Sequence, residues 1–282
     1  MLTLDEVRRK DVAARREALN AADIAILCLP DEAAVEAVAL FDPASKTRVI
    51  DASSAHRIDP AWTYGFPELI GRDAVAGSAR VSNPGCYPTG FLALLAPLVR
   101  EGLLPADWPY TVNAVSGYSG GGKALIARFE AQEPDLAYRA YALGLEHKHR
   151  AEMKRHAGLV HDVLFVPAVV AAYRGMVVDV PLQLGAMPGS PTPSRLRGAL
   201  RDFYTDSAVI TVAEEGDLPE ILIRHDQPAS DGMTLHVRGS ADGRAARLIA
   251  LLDNLGKGAS GAAIQSLNLM CGLPETTGLR LG

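Results

Sequence analysis

Asn83-Pro84-Gly85-Cys86-Tyr87-Pro88-Thr89-Gly90 joins a short apolar segment, residues 79–82, to a run of helical character at residues 91–100. Pro84 and Gly85 force a turn, because proline fixes φ and glycine tolerates unusual φ values. Cys86 then lies just ahead of a helix N-terminus, where free backbone N–H groups favour a thiolate over a thiol. A free cysteine more often fills a small apolar corner, but the turn and the helix start favour a nucleophile.

The residues before this turn alternate between strands and helices. Residues 24–29 form a continuous apolar run that predicts a strand buried on both faces, residues 31–41 predict a helix capped by Asp31, and residues 48–51 predict the next strand. This order indicates a doubly wound α/β domain. Because such domains bind ligands at the carboxyl ends of their strands, we expect the loops after Leu29, Asp51 and Ser82 to face one cleft.

The residues after the turn predict a second domain of α+β type. A mostly antiparallel sheet with helices on one face is the expected result. A helix is predicted at residues 195–204, introduced by Thr192-Pro193-Ser194. Strands are predicted at residues 111–115, 163–171, 176–184, 209–213, 221–224 and 234–238.

Composition narrows the class of protein. The 282 residues carry a formal net charge of −5, which argues weakly against a general nucleic-acid binder. The three cysteines lie far apart, so they predict neither a disulfide framework nor a zinc site, and a reducing cytoplasm fits them. The charged N-terminus lacks the apolar core of a signal peptide, and no apolar run is long enough to cross a bilayer.

Two further stretches carry candidate chemistry. Ser116-Gly117-Tyr118-Ser119-Gly120-Gly121-Gly122-Lys123 precedes a predicted helix at residues 124–132, a pattern that suits an anion site but equally a flexible turn. It fits neither the Walker nor the Rossmann spacing. His147-Lys148-His149-Arg150 concentrates titratable and cationic side chains. A solvated helix face is the commoner meaning of such a run, and no third ligand supports a metal site.

Taken together, these stretches resemble the N-acetyl-gamma-glutamyl-phosphate reductase family. The resemblance rests on residues 83–89, 115–123, 147–149 and 253–263, in the family's order. It implies a Rossmann-type dinucleotide-binding domain at residues 1–85, a catalytic and dimerisation α+β domain at residues 86–255, and a C-terminal helix at residues 256–282 that returns to the first domain. It also implies NADP(H), a small acyl-phosphate substrate, a homodimer or homotetramer, and a cytoplasmic location, without a nucleic-acid or membrane partner.

The resemblance also implies roles for individual residues. Cys86 would attack the acyl carbon and form a thioacyl intermediate. His147 would be the acid/base, with His149 as the runner-up, because two residues apart on a helix their side chains would point to different faces. Expected substrate contacts are Arg57, which suits a phosphate, Arg174 for a carboxylate, His149 and Glu152. Expected cofactor contacts are Ser53, Ser116, Gly117, Gly120, Gly121, Asn254, Gly256 and Gly258.

One feature departs from the family pattern. The family begins with a strand and a glycine-rich turn that cradle the cofactor pyrophosphate, whereas residues 1–60 contain no such turn. A misassigned start codon, a shortened chain, or a natural variant with weak cofactor binding would each account for this, and the first two are favoured. The expectation is a chain of marginal stability that binds NADPH poorly, to be tested by titration calorimetry.

Three alternatives stay open. A sister dehydrogenase would act on aspartyl phosphate, although Lys148-His149 favours the glutamyl family. A cysteine hydrolase or acyltransferase would need Cys86 and His147 but no nicotinamide. A non-catalytic remnant is the third. The residues decide neither between NADP and NAD nor between a free and a carrier-linked acyl group.

Overall fold

The computed structural model describes residues 4–131, 136–216 and 218–281, which divide into two compact units. Unit 1 holds the described residues up to Pro84 together with Ala263–Thr277, and unit 2 holds Gly85–Ala262 and those from Gly278 onward. The helices are α1 (Val12–Ala21), α2 (Asp31–Val38), α3 (Pro67–Ile70), α4 (Arg72–Gly77), α5 (Cys86–Arg100), α6 (Gly122–Glu130), α7 (His149–Ala157), α8 (Pro193–Phe203) and α9 (Gly261–Met270). The strands are β1 (Ile24–Leu27), β2 (Arg48–Asp51), β3 (Thr63–Tyr64), β4 (Arg80–Ser82), β5 (Thr111–Gly117), β6 (Tyr138–Ala140), β7 (Leu164–Val170), β8 (Met176–Leu182), β9 (Ile210–Val212), β10 (Met233–Gly239) and β11 (Ala246–Leu252). Short 3₁₀ turns lie at Arg8–Lys10, Tyr118–Gly121 and Leu184–Ala186, and a π-helical turn lies at Gly256–Ser260.

Unit 1 is built on a four-stranded parallel sheet in the order β1-β2-β4-β3. Apolar clusters pack against it, one around Ile50 and Val81 and another around Val49 and Trp62. The predicted doubly wound α/β domain is therefore confirmed. The predicted meeting of the strand-end loops is also found within this unit, because Ser54 donates to Asp31 and the guanidinium of Arg57 donates to a carbonyl of the loop after β4.

Two local predictions for unit 1 are wrong. The apolar run at residues 24–29 is not buried on both faces: β1 ends at Leu27, lies at the sheet edge, and leaves Ile26 46% exposed. The periodicity of an apolar run cannot distinguish an edge strand from a central one. Asp31 does not cap α2; it lies in the first turn, and its carboxylate accepts hydrogen bonds from the Ser54 backbone N–H and hydroxyl.

Unit 2 contains a seven-stranded sheet in the order β6-β7-β5-β8-β11-β10-β9. Two neighbouring pairs, β5–β7 and β9–β10, are parallel, and the other four are antiparallel, as predicted for a mostly antiparallel sheet. Helix α5 contacts β8, β11, α7 and α8 and is buried along most of its length. The strand predicted at residues 221–224 is absent, and those described residues are irregular.

The boundaries of the units differ from the predicted ones near the C-terminus. We expected residues 256–282 to return to the first domain, but residues 256–262 group with unit 2 and only Ala263–Thr277 with unit 1. The π-helical turn and the start of α9 therefore belong with Cys86 in unit 2. Among the described residues, no helix is both long and apolar enough to cross a membrane.

Candidate active site

Cys86 is the first residue of α5, so the helix begins five residues earlier than the sequence pattern indicated. Gly85 is the N-cap, in extended conformation, and no side chain caps the helix. The first backbone N–H groups of a helix have no intrahelical partner and carry partial positive charge. A partly exposed thiol in this position has the environment that favours its ionised form.

The π-helical turn packs directly against the nucleophile. A Cβ added to Gly258 would lie 3.0 Å from Cβ of Cys86 and 3.1 Å from the carbonyl oxygen of Asp253. A Cβ added to Gly256 would lie only 1.8 Å from the carbonyl oxygen of Ser230. Gly256 and Gly258 were expected to contact the cofactor. Packing within unit 2 leaves no room for a side chain at Gly256 and little at Gly258, and the cofactor contacts of both glycines stay predictions.

The two candidate histidines lie side by side. Their ring centroids are 4.5 Å apart, because α7 begins only at His149 and His147 precedes it. The prediction that the two side chains would point to different faces was wrong for that reason. His149 is buried and its ring centroid lies 5.9 Å from that of Tyr87, while both imidazoles contact Phe165. The histidine pair thus reaches the residue that follows Cys86.

A hydrogen bond fixes the tautomer of His147. Its Nδ1 accepts the backbone N–H of His149 at 3.1 Å. A nitrogen that accepts carries no proton in the neutral ring, so the proton of neutral His147 is on Nε2. Burial, and then the charge of Lys148, lower the pKa of His147 below its ordinary value, so the neutral ring persists to lower pH. The loop that leads to His147 holds two non-glycine residues with positive φ, Ala142 and Leu145, a backbone strain that concentrates at functional sites.

Two tyrosines that the sequence did not mark complete this group. The Tyr141 ring lies 5.8 Å from the His147 ring, and Tyr87 donates to the carbonyl of Ala168 at 3.1 Å. Burial is the main cause that raises the pKa of each tyrosine, and the nearby charge of Cys86 raises both further. Tyr141 therefore neighbours both the thiol and the imidazole. Nothing in its sequence context distinguishes it from a surface tyrosine.

Glu152 occupies an unexpected position. We expected it to contact substrate, but its side chain is buried, with the residue 2% exposed. One carboxylate oxygen accepts the backbone N–H of Gly85 at 2.8 Å. Glu152 therefore contacts the turn that carries Cys86 from within unit 2.

The glycine-rich loop is tied to the end of β11 by the side chain of Asn254. The amide of Asn254 donates to the hydroxyl of Ser119 at 2.9 Å and accepts the backbone N–H of Gly175 at 3.0 Å. Arg174, the expected carboxylate ligand, donates to the carboxylate of Asp253 at 3.0 Å. These residues hold three segments of unit 2 together.

The other residues of that loop that were expected to contact the cofactor also make close contacts within the chain. Ser116 donates to the carbonyl of Gly117 at 2.9 Å. A Cβ on Gly117 would approach the backbone of Arg174 to 2.7 Å, and one on Gly121 would approach Leu125 to 2.3 Å. A Cβ on Gly120 would lie 3.2 Å from the hydroxyl of Ser116. The cofactor contacts expected of this loop stay predictions.

In unit 1, the loop after β2 is organised by a buried carboxylate. Asp51 is fully buried and accepts hydrogen bonds from Ser53, backbone and hydroxyl, while His56 Nδ1 lies 2.6 Å from its carboxylate. The His56 ring stacks on Trp62 with centroids 4.2 Å apart. Arg57 donates to the carbonyls of Ala52 and of the residue after β4. The loop predicted to bear Ser53 and Arg57 is therefore rigidly built.

A nicotinamide cofactor fits unit 1 in part. The parallel sheet presents the loop at residues 52–57 at its carboxyl edge, the side on which such sheets bind dinucleotides. The earliest glycine of the chain is Gly65, so none of the loops before it has the usual glycine-rich phosphate cradle. Among the described residues, no cluster of three or more His, Cys, Asp or Glu side chains could hold a metal ion.

Family comparisons agree with this architecture. A family model described as semialdehyde dehydrogenase, NAD binding domain, matches residues 3–78, and one described as semialdehyde dehydrogenase, dimerisation domain, matches residues 86–254. The chain belongs to the semialdehyde dehydrogenase family. Within it, the chain is 48% identical over 280 residues to the N-acetyl-gamma-glutamyl-phosphate reductase of Burkholderia orbicola, covering 96% of this chain and 89% of that protein. The reductase of Brucella ovis is 47% identical over 281 residues, with 96% and 90% covered.

Solved structures show the same fold at much lower identity. Aspartate semialdehyde dehydrogenase II of Vibrio cholerae matches with a TM-score of 0.66 at 18% identity, covering 90% of this chain and 81% of that one. The aspartate semialdehyde dehydrogenase of Francisella tularensis matches with a TM-score of 0.69 at 14% identity, covering 91% and 84%. The reductase relatives confirm the family resemblance inferred from the sequence. The solved structures, at 14–18% identity, support the fold only.

Proposed function

We propose that this chain reduces N-acetyl-gamma-glutamyl phosphate to N-acetyl-glutamate semialdehyde and phosphate, with NADP(H) as the cofactor, in arginine biosynthesis. The observation that carries the proposal is Cys86 at the first position of α5, followed by Tyr87, whose ring lies 5.9 Å from the ring of His149 in the histidine pair. The choice of substrate rests on the named relatives, which are N-acetyl-gamma-glutamyl-phosphate reductases 47–48% identical over almost the whole chain. Three free cysteines suit a reducing cytoplasm.

The chemistry begins with the thiolate of Cys86. It attacks the acyl carbon, the bond from that carbon to the phosphate oxygen breaks, and phosphate leaves with the electron pair. The acyl group remains on Cys86 as a thioester. NADPH, when bound, supplies the hydride that brings the acyl carbon to the aldehyde level. The resulting hemithioacetal oxyanion re-forms its carbonyl as the carbon–sulfur bond breaks, which releases the semialdehyde and returns the thiolate.

In this mechanism, His147 donates a hydrogen bond to the carbonyl oxygen of the acyl group. That oxygen gains negative charge when the thiolate attacks and again when the carbon is reduced. The neutral imidazole has its proton on Nε2, since Nδ1 accepts the backbone N–H of His149. Nε2–H is the hydrogen-bond donor that stabilises such an oxygen without giving up its proton. His149, buried against Tyr87, holds the His147 ring in place.

Substrate charge would be met by the arginines. We propose that Arg57, in the rigid loop after β2, binds the phosphate group, for which a guanidinium fork is well suited. Ser53 in the same loop would contribute to cofactor binding. Arg174, held against Asp253, would face the substrate carboxylate with its remaining donors.

Two copies of the chain would associate through the open face of the unit 2 sheet. On β7, Leu164 and Val166 are 43% and 42% exposed, whereas Phe165 between them is buried. The Arg247–Asp179 ion pair, at 2.7 Å, joins β11 and β8 on the sheet. The family model for this region is described as a dimerisation domain. A homodimer is the proposed unit, with a tetramer as a further association.

The first half-reaction gives the sharpest test, because it needs no nicotinamide. The chain is mixed with N-acetyl-gamma-glutamyl phosphate, released phosphate is measured, and intact mass is recorded. We expect about one phosphate per active site and a matching N-acetylglutamyl adduct, both lost in Cys86→Ser. NADPH oxidation is then followed by absorbance. Phosphate release without an adduct would indicate a hydrolase instead, and NADPH-dependent turnover by Cys86→Ser would refute the nucleophile. β-Aspartyl phosphate is the matched substrate control.

A further inference from the structure

Both peptide groups of Gly85 are hydrogen-bonded, one of them to a residue outside α5. The buried Gly85 N–H donates to the Glu152 carboxylate at 2.8 Å. The Gly85 carbonyl accepts both the backbone N–H and the hydroxyl of Thr89, each at 2.9 Å. Three hydrogen bonds therefore fix the residue immediately before Cys86.

The Glu152 interaction differs from the other two because it comes from outside α5. Glu152 lies on α7, on the same buried face as His149 and Met153. A buried carboxylate is costly unless it is well partnered. Its position beside the start of α5 offsets part of that cost, since the positive end of a helix dipole favours a negative charge.

We propose that Glu152 is the positioning residue of the nucleophile, acting through the Gly85 N–H rather than on the substrate. The inference rests on the proposed function only in taking Cys86 as the nucleophile. The Glu152 carboxylate anchors the turn to the helix that also carries His149. Through this bond, α7 sets the direction from which the Cys86 thiolate approaches the acyl carbon and keeps the thiolate in register with the imidazoles.

Three variants separate this role from a substrate contact. Glu152→Gln keeps an oxygen that can accept from Gly85 and removes the charge. Glu152→Ala removes the acceptor. Glu152→Asp keeps the charge but shortens the side chain, so the oxygen no longer reaches. Glu101→Ala, an exposed carboxylate at the far end of α5, is the matched control. All are made in a Cys28→Ser, Cys271→Ser background, because both of those thiols are exposed.

Two measurements are made on each variant that keeps the parent's thermal unfolding midpoint within a few degrees. The first is the pH profile of Cys86 alkylation by iodoacetamide, which needs no substrate. The second is the split between kcat and KM for the acyl phosphate. Misplacing a reacting group by about 1 Å costs about 100-fold. We therefore expect Glu152→Ala and Glu152→Asp to lose roughly 10- to 100-fold in kcat with KM nearly unchanged, and to change the alkylation profile.

The Glu152→Gln variant distinguishes a positioning role from a role that needs the negative charge. We expect it to restore kcat to near the parent value and to keep the parent's alkylation profile, because the acceptor is retained. If the Gln and Ala variants lose kcat equally, the charge is what matters and the positioning role is refuted. If KM rises in both the Gln and the Ala variant while the alkylation profile of Cys86 is unchanged, Glu152 contacts the substrate and the positioning role is refuted. If the parent itself fails to reduce the acyl phosphate, the proposed function fails, and the alkylation profiles of the same variants still decide the role of Glu152.

Discussion

Gly258→Ala is the perturbation that tests most directly how the nucleophile is held. The added methyl would lie 3.0 Å from Cβ of Cys86 and 3.1 Å from the Asp253 carbonyl oxygen. Ordinary carbon contacts begin near 3.4 Å, so about 0.4 Å must be accommodated. The Asp253 carbonyl has little freedom, because it also accepts the backbone N–H groups of Gly256 and Gly258. The displacement should therefore fall largely on Cys86.

The magnitude follows from that displacement. Overpacking of a well-filled site costs about 1–3 kcal/mol of stability. If a 1 Å misplacement costs about 100-fold, one of about 0.4 Å should lower kcat three- to tenfold. Gly198→Ala is the control, since no atom lies within 4 Å of its added Cβ in the middle of α8. That substitution should raise stability by about 0.5–1 kcal/mol and leave turnover unchanged.

The assay must separate packing from a cofactor contact. Thermal unfolding, steady-state reduction and iodoacetamide alkylation of Cys86 are measured on both glycine variants. If Gly258 packs on Cys86, the alkylation rate changes in the absence of any nicotinamide. If Gly258 instead touches the cofactor, as the sequence suggested, KM for NADPH rises and alkylation stays at the parent rate. Parent-like stability, alkylation and kcat in Gly258→Ala would show that the 3.0 Å contact does not constrain the thiol.

Three further predictions address other parts of the chain. Lys148→Gln should raise the pKa of His147, because Lys148 is the second cause that lowers it after burial; the acid limb of kcat/KM should move to higher pH, and an unchanged limb would contradict the neutral-imidazole role. The pKa of His147 also affects stability. Because this pKa is lower in the folded than in the unfolded chain, the free energy of unfolding rises with pH between the two pKa values. Lys148→Gln should narrow the pH range over which this rise occurs. His56→Phe should lower the free energy of unfolding by roughly 1–3 kcal/mol, as it removes the 2.6 Å contact with buried Asp51 while keeping an aromatic ring; a loss too small to measure by urea denaturation would argue against that contact. Val166→Glu should shift the mass measured by light scattering toward that of one chain, because the residue is 42% exposed on the open sheet face, and an unshifted mass would exclude this face as the interface.

The sequence predicted the fold class because its elements were separated by clear signals. The Val-rich strands β7 and β8 and the Thr192-capped helix α8 were found close to their predicted positions. Edge and central strands were not distinguishable, since an apolar run says nothing about which neighbours it meets. That is why Ile26 was expected to be buried and is 46% exposed.

The candidate site was predicted by residue type but not by arrangement. Cys86 was identified from the turn before it, and this local signal depends on φ alone. The relation between His147 and His149 depends on where α7 begins, which tertiary contacts decide. Glu152 was identified as a polar residue near the histidines, but only the packing of α7 on α5 shows that it faces Gly85.

Gly256 and Gly258 show why a sequence pattern can mark a site without deciding what each residue does there. The resemblance implies that Gly256 and Gly258 contact the cofactor. In the structure, Cβ atoms added to Gly256 and Gly258 would meet Ser230 and Cys86 at 1.8 and 3.0 Å. Both ligand approach and chain packing select for a residue without a side chain, so sequence alone cannot separate them. Where other residues of the chain fill the space beside a glycine, the glycine allows close packing. Gly258 allows the π-helical turn to pack against Cys86, and we expect this packing to help position the thiol.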